Sequence, residues 1–117
     1  MRTEVGMQYL LDNLRLLEAA QGYATLGMYL QSNQELEAMS TDSRLWPEVL
    51  AVKLAIFDGL KLWDLVEVTA MQLKDTANGN RRWVTLAERA CRQMRAARLR
   101  ENLFARGKSG AKAASFI

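Results

Sequence analysis

At 117 residues, half of them apolar and a quarter charged, the chain is long enough to bury one core and too short for two. It has no histidine, one cysteine and a net charge of +3, which removes the commonest general base and metal ligand and any intramolecular disulfide. No apolar run reaches the roughly 18 to 20 residues of a membrane span, and Glu4, Asp12, Arg15 and Glu18 fall where a secretory signal would be apolar, so a cytoplasmic location is expected.

With a single proline and glycines that sit mostly between periodic segments, the chain reads as helices joined by short turns. Leu16, Ala20 and Tyr23 mark the apolar face of a first helix, which Gly27 ends by taking the left-handed conformation. YLQSNQELEAMS follows as a second helix with Leu36 and Met39 inward. STDSRLWPE breaks the pattern, and Pro47 suits the first position of a third helix because its missing N–H would find no partner there. Leu50, Leu54 and Phe57 form the third apolar face. Lys61 then stands where Gly27 stood, and a lysine tolerates a left-handed turn less well, so this helix end is expected to be built differently.

Leu62, Val66, Ala70 and Leu73 line a fourth helix, and DTANGN closes it with Asn80 as N-cap of a fifth. From about Arg82 to Ala105 no Gly, Pro or Asn makes a turn before Glu101, and Trp83, Ala87, Ala90 and Met94 form a stripe. One long helix capping the preceding elements is expected. Residues 1–106 read as one domain and 107–117 as a basic, flexible tail ending in Phe116 and Ile117.

The first and second pairs of helices echo each other at an offset of 34 residues: Tyr23 on Phe57, Leu26 on Leu60, Met28 on Leu62, Tyr29 on Trp63. Ala20, Tyr23, Leu26, Gly27 and Tyr29, then Pro47, Leu54, Phe57, Leu60 and Trp63, carry a pattern that resembles the tetratricopeptide repeat over roughly Leu10 to Leu99. Leu54 and Ser32 replace small alanines of that pattern, and Lys61 its turn glycine. The resemblance implies an all-α fold of antiparallel hairpins, stacked as a short right-handed superhelix of about two and a half repeats with a long C-terminal capping helix.

It also implies a concave groove lined by the first helix of each pair. Leu17, Gln21, Ala24, Ala51, Ala55 and Asp58 would face it from the first two pairs, and Thr85, Arg89 and Arg92 from the last helix. In repeats that clamp a C-terminal carboxylate, the clamp positions would fall on Leu17, Gln21, Val52, Arg82 and Leu86; Arg82 alone keeps a charge, which argues against that ligand.

Chemistry is hard to find. Cys91 has no histidine to activate it and shares a stripe with Ala87 and Met94, the place of a packing residue. GKSG, from Gly107 to Gly110, lacks the first glycine and the following apolar helix of a phosphate loop, and scattered carboxylates such as Asp58 and Asp64 give no metal cluster. No enzyme, no cofactor and no metal is therefore expected. Charge is informative: residues 1–80 hold six basic and eleven acidic side chains, residues 81–117 ten basic and two acidic. Arg92, Arg95 and Arg98, three apart, drift slowly around the last helix. Its arginines are a solvated surface, a site for an acidic protein segment, or a phosphate-binding surface for nucleic acid; Trp83, with no further aromatic before Phe104, gives little for bases to stack on.

The expected function is non-catalytic binding of a peptide or helix, as an adaptor or small chaperone. The alternative is a nucleic-acid-associated protein, and the chain also allows a homodimer. Trp46, in the connecting turn before Pro47, and Trp83, at a helix start, are candidate interface contacts.

Overall fold

A computed structural model describes residues 2–115, with side chains described for 7–105. Five α-helices follow one another: α1 (Arg2–Thr25), α2 (Tyr29–Glu37), α3 (Pro47–Gly59), α4 (Trp63–Thr76) and α5 (Arg81–Ser115), with a 3-10 turn at Thr41–Leu45 before α3. Each helix packs on its successor, and α1 also touches α3 while α3 touches α5. Among the described residues no helix is long and apolar enough to cross a membrane.

Helix ends follow from local chemistry. Pro47 occupies the first turn of α3 as expected. Asn80 caps α5, its Oδ1 accepting the Arg82 N–H at 3.0 Å. After α1, Met28 N–H donates to the Tyr23 carbonyl at 2.9 Å and Gly27 N–H to that of Ala24 at 3.0 Å, with Gly27 at φ 76. After α3, Leu62 N–H donates to Phe57 at 2.9 Å and Lys61 N–H to Asp58 at 3.1 Å, with Lys61 at φ 58. These are one and the same paired-bond helix stop, 34 residues apart. The expectation that Lys61 changes the turn is thus overturned. The two backbone bonds hold a lysine in the left-handed region, where a side chain costs about 1–2 kcal/mol.

The α1–α2 and α4–α5 pairs are antiparallel, as the pairings across them show. In the first, the buried Ser32 hydroxyl donates to the Ala20 carbonyl at 2.6 Å, and seven to eight residues farther from the turn the buried Asn13 amide donates to Ser40 Oγ at 3.0 Å while accepting the Ser40 N–H at 3.1 Å. Ser32, a departure from the repeat pattern, therefore fits its small position and satisfies its own hydroxyl. Between α4 and α5, Lys74 faces Glu88, Asp64 faces Arg98 and Lys61 faces Glu101, so sequence numbers fall on one helix as they rise on the other.

Two apolar clusters make the core. Leu17, Ala20, Leu36, Met39, Val49, Val52 and Ile56 join α1 and α2 to α3, with Tyr29 and Trp46 packed alongside. Leu50, Leu54, Val66, Ala70, Leu73, Ala87 and Met94 join α3 and α4 to α5, with Trp63 and the half-buried Cys91 alongside. Phe57 touches both clusters, whereas Tyr23 is half-buried at the end of α1 and Leu26 is exposed. Trp63 Nε1 donates to Glu101 Oε2 at 3.1 Å.

α5 starts where expected and runs past Ala105 to Ser115. Alanines and lysines in this stretch are strong helix formers, and they outweigh Gly107 and Gly110. Phe116 and Ile117 lie outside the described residues. At 35 residues α5 is about 52 Å long. It contributes to a radius of gyration of 18.6 Å, against about 13 Å for a compact chain of roughly 100 residues.

Candidate functional site: a groove with an arginine wall

An open groove of about 830 Å³ lies over α3, between α1 and α5. Its floor is Ala51, Val52 and Ala55 of α3, and Gln21, Ala24 and Thr25 of α1 form one wall. Alanines at 24, 51 and 55 put only a methyl where a larger side chain would fill the space, which leaves room for a ligand backbone or helix. The opposite wall is the first two and a half turns of α5: Arg81, Arg82 and Trp83, then Thr85, Leu86 and Arg89. Glu48, in the first turn of α3, stands at the edge.

The electrostatics of this wall are one-sided. Ion pairs among the described residues join Lys61 to Glu101, Lys74 to Glu88 and Arg98 to Asp64. Arg81, Arg82 and Arg89 enter none of them. The Arg82 guanidinium lies 4.8 Å from the Trp83 ring centroid, so a flat cation and an aromatic face form one surface on the α5 wall. Guanidinium forks so placed suit carboxylates, which they can hold through two parallel hydrogen bonds. Among the described residues no three His, Cys, Asp or Glu side chains gather as a metal site requires.

Six of the nine residues expected from the sequence to face the groove meet here: Gln21, Ala24, Ala51, Ala55, Thr85 and Arg89, together with Arg82 from the clamp positions. The other three do not. Leu17 is only 6% exposed and belongs to the first core cluster, because α1 closes onto Val49 and Val52 of α3 at its level. Asp58 and Arg92 are exposed but each lies three residues beyond Ala55 and Arg89 on its helix, past the end of the groove. Trp83 lines the groove, whereas Trp46 packs against the first cluster.

Glu48 and Arg81 were not legible as groove residues. Both sit in the first turn of α3 or α5, the two helices whose N-terminal ends line the groove. No family model, no curated protein and no solved structure matches this chain.

Proposed function

We propose that this chain is a non-catalytic protein-interaction module, a short right-handed stack of tetratricopeptide-like hairpins that takes an acidic peptide or helix in its groove, as an adaptor or small chaperone. Support for the repeat comes from the two identical helix stops 34 residues apart and from α1, α3 and α5 lying side by side. The observation that carries the function is the α5 wall: three arginines that pair with no carboxylate among the described residues, facing an alanine floor. An apolar strip beside such cations is complementary to an amphipathic acidic segment.

Nucleic acid is the weaker reading. Arg89, Arg92, Arg95 and Arg98 spread around α5, Arg98 is engaged by Asp64, and Glu48 at the groove edge would repel phosphates.

Titrating the protein with a glutamate-bearing amphipathic peptide and, separately, with duplex RNA over a range of salt tests the two. The expected outcome is peptide binding that weakens modestly with salt and falls at least tenfold, about 1.4 kcal/mol, in Arg82→Glu, Arg89→Glu protein. RNA binding that dominates and falls log-linearly with salt would overturn the proposal.

A further inference from the structure

Met7, Leu10, Leu11 and Leu14 of α1 are 43% to 64% exposed and stand within one face of the helix. No part of α2 covers them: Asn13 is already level with Ser40, beyond the last residue of α2, so α1 overhangs its partner N-terminal of that point. Fourteen residues, two heptads, separate Met7, Leu10 and Leu11 from Gln21, Ala24 and Thr25, the α1 residues that line the groove. Two heptads drift by only about 40°, so the exposed apolar strip and the groove wall are one face of α1. From Met7 to Thr25 that face is about 27 Å long; Leu17, midway along it, is covered by α3, and the exposed Leu14, Glu18 and Gln21 carry the face past it.

What covers the strip is decided by area and charge. Four half-exposed side chains offer at most a few hundred Å², against the about 800 Å² per partner of a stable interface, so two copies meeting through the strip alone would hold poorly. Joined to the groove, the strip becomes part of a longer surface that one ligand can follow. Charge then orients the occupant. Glu18, on the same face between Leu11 and Thr25, and Glu48 put acid on the α1 and α3 side, while Arg82 and Arg89 put base on the α5 side.

We infer that the ligand of the proposed groove is an amphipathic helix of about 18 residues or more lying along α1, its apolar stripe on Met7, Leu10, Leu14 and the alanine floor, its carboxylates toward α5. This rests on the groove reading and extends it. A peptide confined to the groove would use only half of the available face.

Two designed peptides test it: an amphipathic helix of about 20 residues with leucines on one face and glutamates on one flank, and its half-length version of about 10 residues. Each is titrated into wild-type protein, into Leu10→Lys, Leu14→Lys protein and into Arg82→Glu, Arg89→Glu protein, with helicity checked by circular dichroism. The long peptide is expected to bind wild type at least about tenfold more tightly than the short one. That advantage should vanish in the leucine variant, where short-peptide binding is unchanged, and the arginine variant should weaken both.

Long-peptide binding that is untouched by the leucine variant and lost in the arginine variant would overturn the extension and leave the groove standing. Indifference to the arginine variant, or binding of neither peptide, would overturn both. A wild-type dimer that Leu10→Lys, Leu14→Lys dissociates and that the long peptide does not displace would assign the strip to a second copy instead.

Discussion

Gly22 and Gly59 both stand inside helices, and their replacement by alanine is expected to have opposite effects. A Cβ at Gly22 meets nothing within 4 Å, so alanine there should raise stability by about 0.5–1 kcal/mol through helix propensity. A Cβ at Gly59 runs into the Tyr29 ring, and the resulting overpacking should lower stability by about 1–3 kcal/mol. Urea denaturation of the two variants reads both signs. Ser32→Ala removes the buried hydroxyl bonded to the Ala20 carbonyl and should cost about 0.5–1.5 kcal/mol. Lys53 is a different case: burial, then the nearby Arg44, push its pKa below the ordinary lysine range, and Glu37 opposes them. A lowered folded-state pKa means the charged form is disfavoured on folding, a penalty present at neutral pH and relieved as pH rises through that pKa. Lys53→Met should therefore raise the Tm at neutral pH, with the advantage narrowing toward alkaline pH.

The two helix stops make a matched pair of experiments. Gly27→Ala forces a side chain into the left-handed region and should cost about 1–2 kcal/mol. Lys61→Gly releases the same strain already present, losing only an exposed pair to Glu101, so its denaturation midpoint should equal or exceed that of the wild type. Glu101 also ties α5 to the start of α4. The Trp63 hydrogen bond first, and then Lys61, hold its carboxyl below the usual range against some desolvation. Its contribution is thus present above the ordinary carboxylate pKa and lost as pH falls through the lowered one. Helix order, Pro47, Asn80 and the 34-residue echo were legible because caps and periodicity are local. The burial of Leu17 was not, since periodicity gives a face but not how closely α1 approaches α3. The overhang was equally hidden: Met7 to Leu14 has the spacing of a core stripe, and only the shortness of α2, nine residues beside the 24 of α1, leaves it uncovered.

As a whole, the molecule is elongated, about 78 Å by 31 Å by 20 Å, with its acidic residues concentrated in the first four helices and its basic ones in α5. The groove lies where these two populations meet, which is why an alanine floor there is flanked by arginines on one side and has Glu48 at its edge. The sequence could show the asymmetry but not its placement, because only packing brings the first turns of α5 over the third helix. Amide chemical-shift mapping on titration with the glutamate-bearing amphipathic helix tests the central claim most directly. Binding at the groove should move the amides of Gln21, Ala51, Ala55, Thr85 and Arg89 most; shifts confined to the outer face of α4, at Leu65, Val68 and Met71, with those five unmoved, would contradict it.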